Sequence, residues 1–162
     1  MDDRVGTTLH TGLLLSTTAA LSWLLGVPML FPSLGPSAFV LALFQRSDAT
    51  RPRRVIGGHL IGVVAGLLAY HLLASGVTMT SAADPGSIEG LRLAVSGVLA
   101  TMVTAGGMLA TDTRHPPACA TTLIVSLGLL TTLLEGALIV GAVVILVAVH
   151  LLVLRTLETL YR

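Results

Sequence analysis

Apolar residues run through this chain in long blocks, and the gaps between charged residues mark where it can cross a membrane. Between Arg4 and Arg46 there is no Asp, Glu, Lys or Arg. That interval is about twice the ~20 residues that one helical crossing needs. Its middle reads Pro28-Met29-Leu30-Phe31-Pro32-Ser33-Leu34-Gly35-Pro36-Ser37. Each proline there removes an amide donor and clashes with the preceding turn, so one helix cannot continue through it. The pattern predicts a first helix over about 8–30, a tight break, and a short helix over 36–44. Further uncharged runs follow at 55–75, 93–111, 118–134 and 136–154. Segment 36–44 is too short to span alone. It begins deep in the membrane or forms a re-entrant arm, which is tolerated only where protein or a water-filled cavity surrounds the broken backbone.

The two halves of the pattern echo each other. Leu60-Ile61-Gly62-Val63-Val64-Ala65 and Ala69-Tyr70-His71-Leu72-Leu73 match Ile139-Val140-Gly141-Ala142-Val143-Val144 and Ala148-Val149-His150-Leu151-Leu152 at one constant offset. Pro36-Ser37-Ala38 lies opposite Pro116-Pro117-Ala118, with the offset changed by one residue. Each half reads as a long helix, a Pro-broken start, a shorter helix and a long helix. Three crossings per half make the repeats inverted, so that the two breaks enter from opposite faces and approach the midplane. Interrupted segments at corresponding positions of two halves point to a transporter's binding site. Chance resemblance between apolar helices is the plainer account of the matching runs, since Leu, Val and Ala saturate both copies. Gly58, Gly62 and Gly66 stand four apart on one stripe of the third helix, and Ser96, Ala100 and Thr104 on the fourth. Such small residues let helices approach closely in a bilayer; both stripes read as packing surfaces.

Composition agrees with a life in lipid. Hydrophobic residues make up 54% of the chain and charged residues 10%, against roughly 25% charged in a soluble domain. Mean hydropathy is +0.92. The length of 162 residues suits a single transmembrane domain, 1–162, with repeat halves at about 8–75 and 88–158 and no soluble domain. A net charge of +1 argues against a nucleic-acid partner, which calls for a clustered basic face. Cys119 is the one cysteine, so no intrachain disulfide forms. Arg46, Arg51, Arg53 and Arg54 crowd one loop, while Asp84 and Glu89 precede the fourth helix and Glu135 falls between two apolar runs. Six crossings with a cytoplasmic amino terminus place Arg4, the arginine loop, Arg114, Arg155 and Arg162 inside and Asp84, Glu89 and Glu135 outside. That fits the positive-inside rule better than four crossings with two re-entrant arms, where the arginine loop falls outside.

The sharpest chemistry lies at Thr111-Asp112-Thr113-Arg114-His115-Pro116-Pro117-Ala118. Proline is favoured in the first turn of a helix, so a helix starting at Pro116 or Pro117 would aim its free amides, from Ala118 onward, at the break. Such amides and the positive end of the helix dipole attract an anion. Pro36 and Ser37 repeat the arrangement, with Ser33 and Ser37 adding hydroxyls beside Gly35 and Ala38. Taken singly, each break is an ordinary Pro-initiated helix start; the pair carries the functional reading. Of five histidines, His10 reads as interfacial, and His71 and His150 as buried structural side chains. His59 and His71 are about 120° apart around their helix and share no face. No metal motif, nucleophile with its base, or cofactor fingerprint occurs, so neither an enzyme nor a bound metal or cofactor is expected. His115, beside Arg114 and with an ordinary pKa of ~6.5, is suited to take up a proton alongside a weak acid's anion.

At these residues the chain resembles the HPP family of integral membrane proteins. Gly35-Pro36-Ser37-Ala38 stands where many members have a G-A-S-A-like run. Pro52-Arg53-Arg54-Val55-Ile56-Gly57-Gly58-His59 is close to the family's P-R-x-x-x-G-G-H, and His115-Pro116-Pro117-Ala118-Cys119-Ala120 carries the motif that names it. The resemblance covers roughly 30–155. It implies a membrane domain usually described with four transmembrane helices, and some plant-plastid and cyanobacterial relatives are linked to nitrite transport. The carboxy-terminal CBS pair of certain bacterial members is not expected in this chain.

The expectation is thus an all-α, polytopic membrane bundle of about six segments, two of them short and Pro-broken, in two inverted three-segment repeats. It sits in the plasma membrane as a transporter or channel for a small anion, nitrite foremost, and as a possible homo-oligomer. The anion would meet Ser33, Gly35, Ser37, Ala38, His59, Arg114, His115, Pro116, Pro117 and Ala118. The alternative is a non-transporting membrane scaffold that binds a partner.

Overall fold

The structure is a computed structural model that describes residues 3–81 and 84–160. Six helices account for most of them: α1 (Asp3–Leu25), α2 (Leu34–Leu43), α3 (Pro52–Ala69), α4 (Ile88–Ala110), α5 (Ala118–Ser126) and α6 (Leu133–Leu160). α3 continues into one π-helical turn, Tyr70–Ala74, and no strand occurs among the described residues. The stretch 52–81, α4 and α6 are each long and apolar enough to cross a membrane. α1 matches α4 in length, but Thr7, Thr8, His10, Thr11, Ser16, Thr17, Thr18 and Ser22 make it more polar.

The short helices have 10 and 9 residues. At 1.5 Å per residue each covers about 15 Å or less, half of a ~30 Å hydrocarbon core. Non-helical chain makes up the rest. α1 stops at Leu25 rather than near residue 30, because Gly26 takes a left-handed φ of 64° and Val27 precedes Pro28. The turn folds back on its own helix, where the Ser22 hydroxyl donates to the Val27 carbonyl at 2.8 Å and accepts from the Met29 amide at 3.2 Å. From there the chain returns until Phe39 and Leu43 of α2 flank Arg4, Thr7 and Thr8 at the start of α1.

The fifth segment also ends early, at Ser126 instead of 134, since Gly128 adopts a φ of 78°. Glu135 is not a free loop residue. Its carboxylate accepts from the Thr131 and Thr132 amides at 2.8 and 2.9 Å, and its own amide donates to the Thr132 hydroxyl. This Thr-x-x-Glu capping box starts α6.

Two sets of loops gather at opposite ends. At one, Arg46 pairs with Glu158, Arg54 with Asp112, and Arg53 donates to the Thr111 carbonyl. His10 and His150 stack there at 5.2 Å, and His150 Nε2 donates to the Gln45 carbonyl at 3.1 Å. At the other end Arg92 donates to the Leu73 carbonyl and the Met79 amide to that of Leu127. His71 sits at this rim. It is exposed rather than deep, and its Nε2 donates to the Thr131 carbonyl at 2.9 Å. Thus Arg46, Arg51, Arg53, Arg54 and Arg114 share an end, and Arg92 and Glu135 lie at the other; Arg162 is outside the described residues.

The hydrophobic core lies where α1, α2 and α6 meet, around Leu14, Phe31, Leu41, Ile139, Val143 and Leu146. The remaining seam, α3 against 113–125, is built on small residues. A Cβ on Gly58 would stand 3.1 Å from His115 Cβ, one on Gly62 2.8 Å from the Ala118 carbonyl oxygen, and one on Gly66 2.8 Å from Val125 Cβ. α5 therefore runs alongside α3 in the same direction with backbones nearly touching. Gly62 and its sequence counterpart Gly141 make a sharp comparison, because nothing lies within 4 Å of a Cβ at Gly141. Gly62→Ala is expected to lower stability by about 1–3 kcal/mol through overpacking. Gly141→Ala should be neutral or gain up to about 1 kcal/mol. Thermal unfolding in detergent checks both, and equal stability of the two variants would contradict a closed α3–α5 seam.

Candidate functional site

Three buried side chains from three elements meet inside this seam. Ser37 lies on α2, which starts where the Leu34 amide turns back to the Phe31 carbonyl at 2.9 Å. His59 lies on the α3 face that the glycines leave open. His115 lies on the bend between α4 and α5, where Asp112 at φ 54° reverses the chain and the Thr113 amide returns to the Met108 carbonyl. All three side chains are fully buried. Ser37 Oγ is 2.9 Å from His59 Nε2 and 3.1 Å from His115 Nε2, and the imidazole centroids are 5.3 Å apart. Residues from the two Pro-broken segments are therefore in direct contact.

Counting protons settles who donates. A serine hydroxyl has one proton and two lone pairs. Ser37 also lies 3.1 Å from the Ser33 carbonyl, which can only accept. All three contacts are satisfied in one way only: Ser37 donates to Ser33, and both imidazoles donate from Nε2. Each neutral ring then carries a bare Nδ1. That of His59 is 2.7 Å from Thr121 Oγ1, whose hydroxyl proton it accepts. That of His115 has no hydrogen-bond partner. The Ala49 backbone carbonyl approaches the His115 ring without reaching hydrogen-bonding geometry.

The other expected residues divide by position. Ser33 is buried and its hydroxyl lacks a partner; Ala38, Pro117 and Ala118 are buried beside the cluster's elements. Gly35 is half-buried and Pro36 and Pro116 are exposed. The amides of α5 do not point freely at the break. Those of Ala118, Cys119 and Ala120 donate to the carbonyls of His115, Pro116 and Pro117 at 2.9, 3.0 and 3.1 Å. The tight turn imposed by the two prolines brings those carbonyls within reach. Side chains, not helix-start amides, therefore supply the polar groups of the cluster. Thr121 is the member that motif reading missed; it stands one turn after Ala118, and only its pairing with His59 distinguishes it from neighbouring Thr122, which bonds Thr104 at 2.8 Å. Among the described residues no three His, Cys, Asp or Glu side chains gather as metal ligands. The apolar depressions along α4 and between α3 and α6 are lined by other residues.

Arg114 points away from the cluster. It is exposed and binds Asp112 Oδ1 at 2.6 Å, while Arg54 approaches both oxygens of the same carboxylate at 3.1 and 3.0 Å. The Arg114 hydrogen bond first, and that of Arg54 second, hold the Asp112 carboxyl down to about 2 from an ordinary 3.8.

These arrangements give two spectroscopic expectations and one of stability. Nitrogen-15 NMR of labelled histidine should find His59 and His115 both protonated at Nε2 at neutral pH; an Nδ1–H form of His59 would overturn the assignment. Asp112 should titrate near 2 in a carbon-13 carboxyl titration. Because its folded value is depressed, any stability it lends is complete above about 4 and disappears as pH falls through its folded value. Ser37→Ala strands two imidazole N–H donors and should cost about 1–3 kcal/mol for each, read as a fall in unfolding temperature.

The family model described as "HPP, transmembrane region" matches residues 3–159, nearly the whole chain. No curated protein and no solved structure matches it. Gly58 of the one motif packs against His115 of the other, and His59 and His115 meet on Ser37. With apolar helices long enough to span and a match over its length, this chain is an integral membrane protein of the HPP family.

Proposed function

We propose that the protein moves a small anion across the membrane together with a proton, with nitrite the leading cargo. The observation that carries this reading is the meeting of Ser37 with His59 and His115, one residue from each broken segment and one from the helix between them. A buried polar cluster in lipid is costly unless it is satisfied or used. This one is satisfied except at His115 Nδ1 and the Ser33 hydroxyl. A weak acid brings its own remedy: its proton can pass to the unpartnered Nδ1 of His115, while its anion displaces the Ser37 hydroxyl from the two Nε2–H donors. The pair then crosses without net charge, which avoids about 2.5–3.5 kcal/mol or more for a lone charge at mid-bilayer. In the form described here the three side chains are sealed from solvent, so movement requires the short helices to swing on the non-helical stretches 26–33 and 111–117.

The chain direction alternates along the six helices, which supports two halves of opposite sense. His150 and His71, counterparts in the repeat, hold the loops after α2 and α5 respectively. The arginine-rich end is assigned to the cytoplasmic side of the plasma membrane on the positive-inside rule. A chain of 16.7 kDa is thin for enclosing a path alone, so assembly with further copies is part of the proposal.

The rival reading is a scaffold in which Ser37 merely pins three elements, and the closed packing around it favours that view. Purified protein in liposomes decides between them. Nitrite uptake should exceed that of empty vesicles and rise when the outside is acidified. Ser37→Ala and His115→Ala should each cut it about tenfold or more, the equivalent of one hydrogen bond to a charged group. No flux under any pH gradient would sink transport of nitrite. Loss of folding without measurable flux would favour the scaffold.

A further inference from the structure

We propose that Arg54 and Arg114 form an outer seat for a small oxyanion, and that in this conformation the Asp112 carboxylate fills it as a tethered stand-in. This rests on the transport reading for its purpose, and on the loop geometry for its existence.

Asp112 Oδ1 lies 2.6 Å from Arg114 and 3.1 Å from Arg54, so two guanidinium groups converge on one oxygen. The Arg54 side chain is only 15% exposed, whereas Asp112 and Arg114 are 53% and 60% exposed. The seat thus has one nearly enclosed wall and one open to solvent. Guanidinium groups suit planar oxyanions because their donors are fixed in a plane. Asp112 reaches them from a left-handed backbone, the one positive φ among the described non-glycine residues. That conformation is sparsely used outside glycine, and Asn and Asp tolerate it best.

Position gives the seat its meaning. Arg54 stands one helical turn before Gly58, and Gly58 faces His115. The loop that carries Asp48 and Ala49 lies over the same place: Asp48 is 3.9 Å from Arg54, and Ala49 approaches the His115 ring. An anion arriving from this end meets Arg54 immediately above the histidines. A carboxylate tethered two residues from Arg114 acts at an effective concentration in the millimolar range or above, so a dilute free anion cannot displace it readily. Asp48 is a weaker competitor, because Arg51 already holds it at 2.7 Å.

The test is equilibrium dialysis of the full chain in detergent against nitrite. Asp112→Asn keeps the tolerated backbone and removes the charge, and should tighten nitrite binding by about tenfold or more if the stand-in is displaced at millimolar effective concentration. Arg54→Gln added to Asp112→Asn should abolish the gain. Should Asp112→Asn fail to fold, Asp112→Gly, which accepts the same φ without strain, takes its place. Binding unchanged or weakened by loss of the carboxylate would overturn the proposal. Tighter binding in a protein that moves no nitrite in liposomes would uphold the seat and reject transport. Flux in the wild type without any gain in the variant would do the reverse.

Discussion

Ser37 carries a single proton and two lone pairs, and three buried neighbours claim them all. In an apolar interior an unmet donor costs more than a made hydrogen bond contributes, so this hydroxyl dictates the state of everything around it. It fixes the protonation pattern of two imidazoles, sets which nitrogen of each is bare, and ties α2 to α3 and to the bend before α5. The cluster is a joint as much as a site.

Such a joint needs room, and the room comes from absent side chains. Gly58, Gly62 and Gly66 allow the backbone of 113–125 to lie against α3. The polar contacts of the seam follow from that closeness: Thr121 on His59, Thr122 on Thr104, and the Ser96 hydroxyl on the Ser126 carbonyl. Lipid offers no hydrophobic gain for helix association, so close van der Waals contact and hydrogen bonds must hold the segments together. The other half is held differently. α1, α2 and α6 bury large side chains around Leu14, Phe31 and Leu146. One half packs by shape at short range, the other by bulk.

Charge is confined to the ends, and its distribution is uneven. The arginine-rich end carries a connected set of ion pairs over the histidines, whereas the opposite end is organised by backbone caps, such as Thr132 with Glu135 and Arg92 on Leu73. Exposed pairs contribute little stability, so the network at the first end is better understood as positioning Asp112 and Arg54 than as holding the fold. The joint beneath it is satisfied but for one imidazole nitrogen and one serine hydroxyl, and guanidinium groups lie above it.

How much of this was legible from the residues depends on range. Charge gaps, hydropathy and proline placement were enough for six segments and for two of them being short. They drew attention to Ser37 and His115 at the proline breaks, whereas His59 came with the G-G-H motif of the family resemblance. Helix ends were read less well. Residues 26–30 and 127–134 are as apolar as a helix interior, and left-handed Gly26 and Gly128 ended helices that hydropathy alone would have continued. The Thr132–Glu135 box was visible as a local pattern, yet the apolar run concealed it. The free amides expected at Ala118 were lost to the carbonyls of His115 and its prolines, a matter of turn geometry that composition does not encode. Thr121, the Ala49 carbonyl and the convergence of Arg54 with Arg114 on Asp112 lay beyond reading altogether. A chain's own order determines which segments seek lipid and where they must break, because those preferences act over a few residues. Which atoms then share one proton was decided only when distant segments closed on each other, since a hydrogen bond depends on position to a fraction of an ångström and sequence separation carries no such distance.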